Sequence, residues 1–187
     1  MNRQLVTSIQ TRLGTEPDGF WGPKSIAACQ KHLRAIMPKI NPWPAQDQSS
    51  LTAFYGKPGD GSKLVNLHVE KLFIKYEGKT CATILFHEKV ADSLLRVLSR
   101  IAAGTDAHVL SEYAGCYNFR AMRGGYTPSL HARGAAIDLD PDPNGNLMPW
   151  PVVATMPLTV MEEFAREGWL AAGAFWSRDA MHFQATR

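Results

Sequence analysis

Membrane proteins, nucleic-acid binders and small disulfide-stapled secreted domains each leave a compositional mark, and this sequence carries none of them. No run of about 18 apolar residues occurs, so no segment is built to span a bilayer. Only three cysteines are present among 187 residues, Cys29, Cys81 and Cys116. They are odd in number, far apart and without C-x-x-C spacing, which excludes a disulfide framework and a zinc ribbon. They read as reduced, mostly buried small residues of a chain made in a cytoplasm. The opening residues Met1 to Ser8 are too polar for the core of a signal peptide. The expectation is therefore a protein made in a cytoplasm without its own export signal, with no membrane association. Basic residues are dispersed and never gathered into runs, so the electrostatic footprint of a nucleic-acid binder is missing too. What remains is a mildly basic chain, net charge +3 and pI near 8.8, whose charge favours an anionic partner without identifying it. Its 45% apolar content is ordinary for a globular protein, and the length allows one large core and a small appendage.

Chemistry concentrates in two stretches. The first runs from Ser129 through His131, Gly134 and Ala136 to Asp138; the second from Asp179 through His182 to Phe183. Together they supply two imidazoles and two carboxylates, the ligand set and general base of a hydrolytic zinc site. If residues 136–140 are extended, the period of two puts Ala136, Asp138 and Asp140 on one face and Ile137 and Leu139 on the other. The return element 180–184 alternates likewise, with Met181 and Phe183 inward and His182 opposite. His131, Asp138 and His182 can then meet at one ion. Asp179 would share a face with Met181 in an unbroken strand, so it can serve the site only if the chain bends just before Met181. Two other readings compete. The His and Asp residues could sit on unrelated surface loops, or Asp140, Asp142, Asn144 and Gly145 could open a calcium loop. The second is weak, because Pro151 stands where an EF-hand needs its bidentate Glu.

These residues resemble the M15 peptidases, which include D-Ala-D-Ala carboxypeptidases and phage L-alanyl-D-glutamate endopeptidases. The resemblance rests on S-x-H-x-x-G-x-A-x-D at Ser129 to Asp138 and D-x-x-H-F at Asp179 to Phe183. It implies that His131, Asp138 and His182 hold zinc and that Asp179 is the catalytic base. The carboxypeptidase branch usually has Glu at this base position, three before the last His, so Asp179 looks more like the endopeptidase branch. The resemblance also implies an Arg ahead of the S-x-H motif that contacts the substrate carbonyl or carboxylate. Arg120 is the first match, as an oxyanion-stabilising catalytic residue, and Arg123 the second, as a substrate-binding residue. A guanidinium suits the task because it keeps its charge and forks onto two oxygens. Ser129 matches the motif serine and is a substrate-binding candidate.

At the N-terminus, Leu5, Val6, Ile9 and Leu13 fall at helical spacing with Gly14 as a stop. Pro23 opens a second helix with Ile26, Ala27, Gln30, Leu33 and Ile36 or Met37 on its face, and Ser49 to Tyr55 supplies a third. The connecting Asp18-Gly19-Phe20-Trp21-Gly22-Pro23-Lys24-Ser25 resembles the peptidoglycan-binding domain of many lysins and bacterial hydrolases. The plainer alternative is a helical cap that only packs on the enzyme. Gly56 to Ser62, with three Gly and a Pro, reads as a flexible linker.

Beyond it, Val65, Leu67 and Val69 alternate, Glu77-Gly78 forms a turn, and Cys81 to Phe86 returns as the second arm of a hairpin. His87 reads as structural. Val90 to Ile101 marks a helix ended near Gly104, and Val109 to Cys116 a strand. Pro141 to Pro151 is a Pro-rich loop. Thr159 caps a helix closed by Gly168, with Glu162 and Glu163 on its solvated face; Trp176 walls the cleft.

The fold expected is α+β, an antiparallel sheet with flanking helices of the hedgehog/DD-peptidase kind, plus a small all-α N-terminal domain. The divisions are 1–57 for the helical wall-binding domain, 58–63 for the linker and 64–187 for the peptidase. By resemblance the cofactor is Zn2+, the partner is peptidoglycan and the activity is that of a monomeric endolysin. Its first-choice bond is L-Ala-D-Glu, with a D-Ala-directed carboxypeptidase or endopeptidase as the alternative. A non-catalytic wall-binding protein is the rival from outside the enzymes. Such a protein would act on the wall after release from the cell that made it.

Overall fold

Caps and glycines set the first boundaries in the computed structural model, which describes residues 2–122 and 124–187. Helix α1 (Arg3–Arg12) starts where the Asn2 side chain accepts from the Leu5 amide. It ends ahead of Gly14, whose φ of 68° suits only glycine without strain. Helix α2 (Pro23–Ile36) opens on the proline, whose missing N–H would have been unsatisfied at that position anyway. Its buried residues are Ser25, Cys29 and Leu33, a stripe at i, i+4, i+8, while Ala27 is exposed. That rotates the packed face away from the one expected from its aliphatic residues. Helix α3 (Gln48–Tyr55) is capped by Asp47.

The expected hairpin forms with an insertion. Strand β1 (Leu64–His68) pairs antiparallel with β4 (Thr83–His87), and between them β2 (Lys75–Tyr76) and β3 (Lys79–Thr80) make a smaller ladder. Glu77 and Gly78 both have positive φ, as a two-residue hairpin turn requires. A 3-10 turn at Glu70–Leu72 separates the two ladders. Helix α4 (Glu88–Ala103) buries Val90, Leu94, Val97, Leu98 and Ile101 in the shared core. Residues 107–112 are a 3-10 segment and not the strand expected there: adjacent Val109 and Leu110 are both buried, which one face of a strand cannot accomplish.

The main sheet has the order β5-β6-β8-β7, antiparallel throughout, from β5 (Tyr113–Gly115), β6 (Ala136–Leu139), β7 (Leu170–Ala171) and β8 (His182–Gln184). Between β6 and β8 lie a short helical turn, α5 (Pro141–Asn144), and the helices α6 (Leu158–Arg166) and α7 (Ala172–Trp176). Ile137 and Phe183 oppose each other across β6 and β8, both fully buried, and Phe183 stacks on Phe164 of α6 with centroids 3.9 Å apart. Each such side chain contributes about 1.5–3 kcal/mol by leaving water, which fixes the register of the two strands. One face of the sheet is therefore spent on the core, and the other is free for chemistry.

Several local expectations are overturned. Thr159 lies inside the first turn of α6, not at its cap, and bonds Asp106. Glu162 is 5% exposed, not solvated, because Arg12 and His32 from α1 and α2 both bond its carboxylate. Asn144 is fully buried, its oxygen accepting from the amides of Thr155 and Met156 and its nitrogen donating to Asp140. The supposed calcium loop is thus a turn knitted by its own amide. The segment expected to give flexible reach is docked instead: the Gly59 amide donates to the Ala132 carbonyl at 2.7 Å, and residues 61–63 form a 3-10 turn capped by Asp60.

The N-terminal helices share one apolar cluster with the rest of the chain, through Ile9, Cys29, Leu33, Trp43, Leu51 and Tyr55. Polar ties reinforce it: the Trp43 indole donates to the Glu167 carbonyl at 2.7 Å, and Trp21 meets Trp150 edge-on at 5.4 Å. The residues of the Asp18 to Ser25 motif build their own loop around buried Gln10. Its side chain accepts from the Gly19 amide and donates to Asp18 and Ser25. His87 is structural, its Nδ1 accepting from the Lys89 amide at the start of α4 while Nε2 meets the Tyr55 carbonyl at 3.0 Å. All three cysteines are free, with Cys29 and Cys116 buried. Among the described residues no helix is long and apolar enough to cross a membrane.

Candidate metal centre and cleft

Strands β6 and β8 put Asp138 directly opposite His182. The neighbouring Leu139 amide donates to the Met181 carbonyl at 3.0 Å, so the 138–182 pair occupies a non-hydrogen-bonded position, where cross-strand side chains come closest. The His182 Nδ1 lies 2.9 Å from Asp138 Oδ1.

His131 arrives from a 3-10 turn, Leu130–Arg133, which Ser129 caps by accepting from the His131 amide at 3.3 Å. Gly134 ends that turn at φ 63°. A Cβ there would stand 2.7 Å from Leu64 and 3.0 Å from the His87 nitrogen, so the residue must be glycine for conformation and for space alike. The missing side chain makes room for Leu64 of β1 and the end of β4. His131 Nε2 thereby reaches 3.1 Å from His182 Nδ1 and 3.2 Å from Asp138 Oδ1.

These three atoms form a nearly equilateral triangle of buried donors. On a tetrahedral zinc with bonds of about 2.0–2.2 Å, ligand atoms stand roughly 3.3–3.5 Å apart, so the triangle matches a zinc site with small relaxation. Two imidazoles and one carboxylate suit zinc, whereas calcium and magnesium call for oxygen-rich sets. The outer contacts agree. His131 Nδ1 lies 2.6 Å from the Cys116 carbonyl, which can only accept, so Nδ1 carries the proton and Nε2 turns a lone pair to the triangle. His182 Nε2 is 3.1 Å from Gln184 Oε1, and the Gln184 amide donates to Thr186 Oγ1 at 2.6 Å, so Nδ1 is likewise left as the donor atom. Burial pushes the Asp138 carboxyl up, but His131 and His182, whenever they are protonated and can donate to it, outweigh that and hold the group well below the usual carboxylate range. Burial pulls His182 down, yet its bond to Asp138 wins and leaves it raised.

The bend that Asp179 needs is present. β8 begins only at His182, Asp179 has φ 57°, and the His182 amide donates to the Asp179 carbonyl at 2.9 Å, closing a turn through Ala180 and Met181. Asp179 lines a cleft of about 450 Å³ together with His131, Asp138 and His182. Its charge also acts on His182. The same turn moves Met181 out of the core and into the cleft wall, contrary to the inward position expected of it.

Arg120 and Ser129 line the cleft as well, and the Ser129 amide donates to the Arg120 carbonyl, which holds the arginine loop against the metal loop. Arg123 lies outside the described residues. Trp176 stacks on His182 at 5.9 Å and forms one end wall. A second cavity of about 420 Å³ shares Arg120, His131 and Asp138 and continues to Tyr76, Tyr113 and Asn118. Space therefore adjoins the triangle toward β5 as well as toward β8.

Gln184, Thr186, Arg178 and the Cys116 carbonyl belong to the site and were not foreseen. Gln184 was open to discovery, being two residues from His182 and so on its face of the strand. The Cys116 carbonyl, a main-chain group brought in by a non-local loop, leaves no trace in sequence.

Residues 123–185 match the family model described as D-alanyl-D-alanine carboxypeptidase, of the M15 peptidases. The matched stretch contains the two histidines and two aspartates described above. Comparisons with curated proteins and with solved structures return no match.

Proposed function

We propose that this chain is a zinc-dependent peptidase that hydrolyses the peptide stems of peptidoglycan. The observation that carries the reading is the triangle of His131 Nε2, Asp138 Oδ1 and His182 Nδ1, at the floor of an open cleft with Asp179 on its wall. The match of residues 123–185 to an M15 peptidase family supports it independently.

His131, Asp138 and His182 would hold the ion. Zinc with three protein ligands supplies Lewis acidity and lowers the pKa of a bound water towards about 7. Asp179 accepts the proton of the attacking water and returns it to the departing amine. Arg120 pairs with the scissile carbonyl oxygen as it gains charge. Gln184 and the Cys116 carbonyl keep both imidazoles in the tautomer that donates to the metal. Trp176 and Met181 contribute apolar surface to the cleft that Arg178 and Asp179 also line.

Cleavage within the stem, at L-Ala-D-Glu, is the first reading, because a cavity toward β5 as well as the cleft toward β8 adjoins the triangle, which would leave room for substrate on either side of the bond. The family description favours the second, a D-Ala-directed carboxypeptidase. The N-terminal helices would add affinity for the wall, in the manner of an endolysin that acts after release from the cell that made it. Mass spectrometry of peptidoglycan digested by the zinc-loaded protein distinguishes the bonds: new L-Ala termini and free D-Glu amines for the first, released D-Ala for the second. A chelator should abolish release and zinc restore it. Undiminished release from protein verified to be metal-free would end the proposal, and wall pelleting without any release would favour a non-catalytic wall-binding protein.

A further inference from the structure

Behind Trp176, on the side away from the metal residues, lies a separate cavity of about 360 Å³. Its walls come from both ends of the chain: Gln30 and Arg34 of α2, Gln46 ahead of α3, Phe175 and Trp176 of α7, and Arg187. Among the described residues that line it there is no carboxylate side chain. The Arg34 guanidinium sits 5.1 Å above the Phe175 ring, which fixes the charge over an aromatic floor. Gln30 is held by its bond to the Ala174 carbonyl at 3.2 Å, so the rim is ordered too. An arginine set on an aromatic, flanked by amides and with no Asp or Glu among the described lining residues, has the chemistry of a carboxylate receptor.

Trp176 is the wall this cavity has in common with the metal cleft. We propose that the cavity is a second subsite for a carboxylate-bearing peptide arm of the polymer whose neighbouring arm lies in the cleft. It is a composite site that exists only because α2 is docked on α7. The inference rests on the peptidase reading for the identity of the polymer. It gives the N-terminal helices a job other than a tether, since they complete a wall of the substrate track. Two linked arms bound on either side of Trp176 add their affinities through a high effective concentration, which a single short stem cannot exploit.

The experiment compares the full-length zinc-loaded protein with Arg34→Glu, Arg34→Gln and Arg34→Lys, using intact peptidoglycan and a single unlinked stem peptide. The ratio of kcat/KM on polymer to kcat/KM on the short stem should fall about tenfold in Arg34→Glu, as expected for one exposed charge-assisted contact. It should fall less in Arg34→Gln and least in Arg34→Lys. A pelleting assay with Asp179→Ala, alone and combined with Arg34→Glu, reads the subsite without turnover; added salt should weaken pelleting of the first protein and not the second. Arg34 is exposed at the helix surface, and melting curves check that each variant is folded. An unchanged ratio together with Arg34-independent pelleting overturns the subsite and leaves the peptidase reading standing. Equal losses in Arg34→Gln and Arg34→Glu without salt dependence also overturn it, pointing to a neutral sugar. Arg34-dependent, salt-sensitive pelleting by a protein that cleaves no peptide supports the subsite while ending the peptidase reading.

Discussion

The Tyr55 hydroxyl donates to the Ala185 carbonyl at 2.7 Å, joining the last N-terminal helix to the residue just after the strand that carries His182. Beside it, Arg133, next to the metal loop's glycine, donates to Gln48 and Thr52 of the same helix. Helix α3 thus braces both segments that carry the His131, Asp138 and His182 triangle. Tyr55→Phe should cost about 1–2 kcal/mol, because it leaves a buried carbonyl without its donor. That corresponds to a Tm roughly 2–8 °C lower for a chain of this size. Calorimetry should find a single transition for the whole molecule; two transitions, with only the first displaced, would show that the helices fold apart from the sheet.

Gln184 is a positioning residue for His182, and the sign of its effect can be tested. Gln184→Ala frees the Nε2 proton from its acceptor, and zinc affinity should fall by about 10–100-fold. Gln184→Glu keeps an acceptor and should retain most of the affinity. Competition with a chromophoric chelator measures both. Equal losses in the two variants would mean that the side chain matters for packing alone.

Asp179 and His182 should separate metal binding from turnover. His182→Ala removes one corner of the triangle and should lose zinc, whereas Asp179→Ala should keep zinc and lose at least about 100-fold in kcat, the usual scale for a general base. Zinc analysis of the purified variants, followed by kinetics, decides the matter. An Asp179→Ala protein with undiminished turnover would place the base elsewhere.

Glu162 makes the docking of the N-terminal helices sensitive to acid. Burial alone would raise its pKa, but the bonds from Arg12 and His32 outweigh that and hold it below the ordinary range. The unfolded chain then takes up a proton at higher pH than the folded one. The stabilisation is complete above the unfolded carboxylate value, near 4.3, and fades as pH falls through the lower folded value. Arg12 is half exposed, which limits the pair to about 1–2 kcal/mol at neutral pH. Urea titrations between pH 3 and 7 should show Glu162→Gln less stable at neutral pH and converging on the wild type in acid. Parallel curves would exclude the linkage.

The local grammar of the chain is legible in its sequence. The proline that opens α2, the Glu77-Gly78 turn and the alternation around Ile137 and Phe183 are short-range signals, and they place these elements well. Asp138 and His182 could be put on one face by counting in twos, and Asp179 could be assigned a bend as the condition of its usefulness. The aliphatic pattern of α2 misleads, because small Ser25 turns inward to the Gln10 side chain of α1 and Cys29 is buried, while Ala27 is exposed.

The sequence by itself determined which residues could bind a metal and which strands would carry them, because period and residue chemistry are properties of neighbours along the chain. Only the tertiary structure decided that Glu162 is an anchor, that the glycine-rich segment is docked, and that the Cys116 carbonyl orients the His131 imidazole. It also decided that α2 and α7 meet at a groove behind Trp176. Each of these depends on residues more than a helix apart coming into contact, and burial of a shared core, not local propensity, brings them together.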